Sequence, residues 1–280
     1  MSEPELFYVY TVVESGPGPG APDSLASCGP DGSSLRVVDD GVLAAVVAPV
    51  DPAEFGETPL RRRLEDLDWL SALARRHHRV VADVGRSLTT VPLRLATVCR
   101  GEEGVRRLLA EGRDRLSCAL ERLADTEEWG VKLYAAHSPA PTTAGASRSP
   151  AEGGPGTSAD PSAAGPGTGR GYLQRRLVDR RRREERAGLA AGTAERVHRR
   201  LAERASESVL HPPQQAGLSG VRDANVLNAA YLVPREAREA FLDAVPGPSD
   251  LPSGIRGEVT GPWVPYSFTQ TAAERRGRER

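Results

Sequence analysis

Apolar residues recur along this chain with two periods, and the switches between them mark out its elements. Residues 6–13 are aromatic and β-branched, alternate from Phe7 onward, and predict a first strand. Residues 35–38 and 42–47 flank Asp39-Asp40-Gly41 and predict a hairpin, because Asp-Gly favours the positive φ of a tight turn. The second arm is apolar on both faces, which suits a strand inside a covered sheet. Leu60, Leu64, Leu67, Leu70, Leu73 and Ala74 then recur at three and four, and Val80, Val81 and Val84 continue that helical stripe. Residues 89–98 revert to strand, with Pro92 tolerated at an edge or a strand start. Val105, Leu108, Leu109, Leu116, Leu120 and Leu123 form a further amphipathic helix, closed by residues 125–128.

Beyond that boundary the pattern predicts a strand at 129–136, a helix at 171–208, a short strand from Val209, a strand at 225–233, a short helix at 234–245 and a last strand at 255–259. Gly261-Pro262 is expected to end it. The order β-α-β-β-α-β is that of a ferredoxin-like unit. Residues 15–31 are rich in Gly and Pro and predict a loop; 217–220 predict a turn. Residues 138–169 hold Pro, Gly, Ser, Thr and Ala with almost no large apolar side chain, so they are expected to be disordered. Falling between a strand and its helix, they form an insertion within a domain. The expected fold class is α+β with two domains: an N-terminal α+β domain at 1–126 and a ferredoxin-like domain at 127–268, followed by a polar tail at 269–280.

Composition agrees with folded parts diluted by loops: 280 residues, 39% hydrophobic, with 29 Gly and 23 Pro. A net charge of −1 steers the whole chain toward neither nucleic acid nor anionic membrane. The first residues, Met1-Ser-Glu-Pro-Glu5, lack the basic and apolar regions of a secretory signal, and no apolar run approaches the roughly 20 residues that span a bilayer. Cys28, Cys99 and Cys118 are odd in number and widely spaced, which implies reduced thiols in a cytoplasm, two of them buried.

Candidate chemistry is sparse. His77 and His78 point about 100° apart on a helix and cannot share one metal; His137, His198 and His211 have no ligand-spaced neighbours. Gly165-Pro-Gly-Thr-Gly-Arg-Gly171 lacks the Lys-Ser/Thr ending of a phosphate loop and reads as a lead-in to a helix. Glu127-Glu128 reads as a boundary pair, and no Ser/His/Asp or Cys/His arrangement assembles. No catalytic residue, metal site or cofactor is therefore expected. Residues 170–204 carry twelve Arg against five acids, a local charge of +7, with Arg180, Arg181, Arg182 and Arg183 consecutive. Such a run is a solvated helix face, a dock for an acidic protein surface or a nucleic-acid contact. Because 180–186 is polar all round, this part of the helix is expected to project beyond the sheet.

The last motif is Val259-Thr-Gly-Pro-Trp-Val-Pro-Tyr-Ser-Phe268, three aromatics within six positions of a chain that is 5% aromatic. It resembles the C-terminal signature of the gas vesicle protein F/L family, written G-P-W-P-P-Y-S-F, with Val264 replacing one proline. Phe7-Tyr-Val-Tyr10, His78-Arg-Val-Val81, Val91-Pro-Leu-Arg-Leu-Ala-Thr97, Glu128-Trp-Gly-Val-Lys-Leu-Tyr134 and Asn228-Ala-Ala-Tyr-Leu-Val233 agree in the same order. The resemblance implies a non-enzymatic accessory protein of gas vesicle assembly in the cytoplasm or at the vesicle. Its implied partners are the small hydrophobic shell protein and other accessory proteins, with no nucleic acid and no membrane. Minor vesicle component is a further role left open. The rival classes are a nucleic-acid binder acting through 170–204 and a small-ligand or enzymatic ferredoxin-like protein. Arg94, regularly Arg in the family, either anchors a buried hydrogen-bond network or faces outward. Large aromatics are mostly buried, so Trp263 is expected to fold back onto the core. Tyr266 and Phe268, nearer the polar tail, are expected to stand out as partner contacts, together with Arg180–Arg183.

Overall fold

Leu6–Glu14 (β1) is buried on both faces along almost its whole length, which requires a layer of structure on each side of it. In the computed structural model, which describes residues 5–16, 32–136, 167–213 and 223–270, both layers are present. β1 pairs with β3 (Leu43–Val50), which pairs with β2 (Arg36–Asp39); β4 (Val91–Pro92) and β5 (Val98–Arg100) share the other edge of β1. Every pairing is antiparallel. The hairpin turn is closed by Asp40, whose carboxylate accepts from the amides of Val42 and Leu43 at 3.0 and 2.8 Å.

One face of this sheet packs on α1 (Pro52–Phe55) and α3 (Leu67–Gly85) through Tyr8, Tyr10, Val46, Phe55, Val80 and Val84. The other face, with Phe7, Val9, Val12 and Val47, packs on α4 (Gly101–Leu123). Ala230 and Leu232 of a second sheet join the same buried cluster, so the one apolar stripe of α4 serves both sheets. That sheet has the order β7 (Glu207–Leu210), β8 (Ala224–Pro234), β6 (Thr126–Ala135), β9 (Ile255–Trp263), again all antiparallel. Its outer face, with Trp129, Leu133 and Tyr231, is covered by the C-terminal part of α5 (Gly167–Ala202) and by α6 (Arg238–Ala244). α4 lies on the N-terminal side of the expected boundary at 126, yet its leucines share one buried cluster with residues from both sides.

Several expectations are corrected. The stripe over 60–84 is two helices, α2 (Glu57–Arg63) and α3, because Asp66 caps α3 by accepting from the amides of Asp68 and Trp69 at 3.0 and 3.1 Å. The strand at 89–98 is instead β4 and β5 around a turn in which Ala96 has φ 63° and donates its amide to the Tyr8 hydroxyl at 3.1 Å. Pro92 removes a ladder donor just where that strand leaves the sheet. The helix predicted at 171–208 begins at Gly167 and ends at Ala202, since Ser206 already donates its amide to Leu232 of β8. β9 does not stop at Gly261-Pro262 but reaches Trp263, with a register shift opposite Glu128 and Gly130. Cys99 is half-buried and Cys118 exposed, so neither is a core residue. Arg94 faces outward. Of the loop expected at 15–31, residues 17–31 with Cys28 lie outside the described residues, as do His137, 138–166 of the insertion, the turn at 217–220 and 271–280 of the tail; 167–169, expected within the disordered insertion, are instead the first residues of α5.

Candidate functional site

Residues 261–268 leave the edge of the second sheet and cross to the first as a strap. Gly261, at φ 135°, lies so close to β6 that a Cβ there would stand 2.9 Å from the Glu128 carbonyl oxygen and 3.0 Å from the Trp129 ring. The next residues reach α3. Val264 seats on Gly85, where a Cβ would approach its Cγ2 to 2.5 Å. Tyr266 stacks near the rings of His77 and His78, at centroid distances of 6.3 and 5.9 Å. A single helical turn, Tyr266–Phe268, then drives Phe268 under α4, where it joins the cluster shared by both sheets.

Polar anchors hold this path. Ser267 donates its amide and its hydroxyl to the two oxygens of the Glu128 carboxylate, at 2.8 and 2.7 Å, and lies 3.2 Å from Nε2 of His211. Arg122 of α4 donates to the Phe268 carbonyl and pairs with Glu207 of β7 at 3.2 Å. Burial raises the Glu128 carboxyl, and the two bonds from Ser267 offset part of that rise. Beside it, Glu127 takes a bidentate pair from Arg238. Both glutamates are thus structural anchors. Nδ1 of His77 is hydrogen-bonded to the Tyr8 hydroxyl at 2.9 Å, and burial lowers the imidazole from 6.5 to about 4.

These contacts reverse the expected exposure of the aromatics. Phe268 is 0% exposed and Tyr266 largely covered, whereas Trp263 is 44% exposed. The reason is positional. Trp263 is the last residue of an edge strand and meets the His78 ring at 5.4 Å, while the turn at 266–268 winds the chain back inward. Trp263 borders a cleft of about 570 Å³ between the halves, lined also by His78, Arg86, Thr90, Asp125 and Arg235. Arg180, Arg181, Arg182 and Arg183 are exposed on the free N-terminal part of α5; Arg180 pairs with Glu184 at 2.7 Å. They lie on the outer side of the second sheet, opposite α4 and Phe268, so the expected contacts do not converge on one site. The pairing of Glu128, Ser267, Arg122 and His211 escaped the sequence reading because the partners stand from 56 to 146 residues away. Among the described residues no three His, Cys, Asp or Glu side chains group as metal ligands, and no helix is long and apolar enough to cross a membrane.

Two antiparallel sheets about a common helix, tied by a C-terminal strap, define a mixed helix-and-sheet protein with known counterparts. Its fold is similar to the crystal structures of gas vesicle protein GvpF from Anabaena sp. PCC7120 and from Microcystis aeruginosa. Each has a TM-score of 0.60 at 17% identity, over 96% and 95% of this chain and 97% and 99% of theirs. The sequence profile described as "Gas vesicle synthesis protein GvpL/GvpF" matches residues 6–270. Gas vesicle protein L of Streptomyces sp. (strain CB03234) is 44% identical over 274 residues, 98% of this chain and 96% of that protein. Gas vesicle protein F of the same strain is 24% identical over 279 residues, 94% and 99% of the two chains. The chain belongs to the GvpL/GvpF family of gas vesicle synthesis proteins.

Proposed function

We propose that this protein is a non-enzymatic accessory factor of gas vesicle assembly, acting in the cytoplasm or at the vesicle by binding the small hydrophobic shell protein or other accessory proteins. The observation that carries this reading is the family match across residues 6–270, which includes the whole strap. The buried roles of Glu127, Glu128 and His77 support a non-catalytic site, because each is spent on holding the fold. We further read residues 1–126 and 127–268 as two structural units, the second ferredoxin-like; the spatial order β7-β8-β6-β9 supports this.

Two exposed features suit docking. One is Trp263 with its cleft; the other is the Arg181–Arg182 face of α5. The +7 charge of 170–204 leaves −8 on the rest of the chain, so α5 is the one strongly basic element of an acidic protein. An acidic protein surface fits it better than nucleic acid, since no aromatic platform interleaves the arginines. Co-purification of the full chain with the shell protein and accessory proteins of its own gene cluster tests the reading. Capture of at least one partner, weakened by Arg181→Glu/Arg182→Glu or Trp263→Ala, and no nucleotide turnover are expected. Capture of none, together with hydrolysis, refutes it. Steeply salt-dependent binding of DNA or RNA would favour the nucleic-acid reading instead.

A further inference from the structure

Among the described residues, the exposed edges of both sheets are short with one exception. β2 and β7 have four residues each, β4 two and β5 three, whereas β9 has nine. β9 pairs only with β6 among the described residues, and Arg256, Gly257, Glu258 and Val259 in its middle are all exposed. No main-chain bond to its outer edge is formed by any described residue. A long edge of this kind is a template for another strand, and proteins ordinarily block such edges with lysines, prolines or short lengths. Here the bulge and Pro262 come only at the end, leaving 255–260 open.

The sequence of that open stretch is Ile255-Arg-Gly-Glu-Val259, which is self-complementary about its centre. Two copies paired antiparallel through Gly257 would set Arg256 opposite Glu258 of the second copy, and Ile255 opposite Val259, each twice. The existing register fixes the faces: Arg256 and Glu258 lie opposite Tyr134 and Lys132 on one side, Ile255 and Val259 opposite Ala135 and Val131 on the other. Directly opposed residues in an antiparallel pair share a face, so charge meets charge and apolar meets apolar. A two-fold axis asks for this kind of self-matching patch. Arg256 is already extended over the Tyr134 ring, 4.1 Å away, and held by Asp223 at 3.2 Å. In the single chain its charge is therefore met by Asp223, and it turns outward to meet Glu258 of the second copy. We propose that β9 is a homodimer interface, at which two copies of this chain join their second sheets edge to edge into one eight-stranded sheet.

The test is the oligomeric state of the full chain, followed by sedimentation on dilution from on the order of 100 µM, as befits a small interface. The native protein is expected to be a dimer that dissociates on dilution. Glu258→Arg alone sets arginine against arginine, and Arg256→Glu alone sets glutamate against glutamate. Each is expected to weaken the dimer by roughly tenfold or more, since two favourable cross-strand pairs become two repulsive ones. Mixing the two variants sets a strand carrying two arginines against a strand carrying two glutamates, and a one-to-one complex should reappear. Recovery on mixing separates a broken interface from a broken fold. A native monomer at the top concentration overturns the proposal, as does a Glu258→Arg variant that stays dimeric or a mixture that fails to associate.

Discussion

Trp263 and Phe268 stand five positions apart in one motif and carry opposite weights. Phe268 fills the joint between α4 and both sheets, so Phe268→Ala should cost about 3–5 kcal/mol. Trp263→Ala, on a half-exposed ring, should cost about 1 kcal/mol or less. Urea unfolding of both variants measures the contrast, and equal losses would contradict the burial. His77 sets a pH dependence. In the folded protein it titrates at about 4 and in the unfolded chain near 6.5, so between these values the unfolded chain holds more protons. The stability it contributes is complete above 6.5 and is lost as pH falls toward 4, by about 3 kcal/mol in all. Glu128, raised by burial, acts the other way: its contribution is lost as pH rises through its own range. Comparison with His77→Asn, which keeps an acceptor for Tyr8 and no titrating ring, isolates the histidine. The native protein should lose about 3 kcal/mol relative to the variant between about pH 7 and about pH 4. An unchanging difference would rule the linkage out.

At the scale of elements, α5 is two structures in one helix. From Ala190 onward it buries Ala194, Val197 and Leu201 on the second sheet, whereas 176–189 is exposed apart from half-buried Asp179. Thirty-six residues make a helix about 54 Å long, more than the sheet beneath can cover. Leu201→Ala should destabilise by about 2–5 kcal/mol and Leu177→Ala by less than about 0.5 kcal/mol. Hydrogen exchange should find slow amides over 194–201 and fast ones over 176–186, because only the first are tied to tertiary packing. Uniform protection along the helix would show that something covers the free part. The projection itself was legible in the sequence, since 180–186 has no apolar stripe to bury. The break at Asp66 was less so, because the leucine stripe runs straight through it and only the cap signals the stop.

For the whole molecule, the shared stripe of α4 decides cooperativity. Leu109, Leu116 and Leu120 face the first sheet's cluster, and the same cluster takes in Leu232 and Phe268 from the second half. Unfolding either half would strip the other of buried surface. Calorimetry should therefore show one transition, and Leu232→Ala should speed hydrogen exchange in β1 as well as in β8. Two resolved transitions, or a β1 indifferent to Leu232, would show that the halves are energetically separate.

Local physics accounts for what the sequence determined alone. Period-two and helical stripes located nearly every element, Asp-Gly marked the hairpin, and the strand and helix order of 127–268 followed from the same patterns. The ordered motifs identified the family. Tertiary structure alone decided which aromatics face water, because Trp263 and Phe268 differ in what lies across from them and not in their neighbours along the chain. It alone also decided that one helix serves two sheets, that Glu128 and Arg122 hold the strap, and that among the described residues the one long edge strand is left open. Each depends on side chains brought together across tens to hundreds of residues, a proximity that no local periodicity encodes.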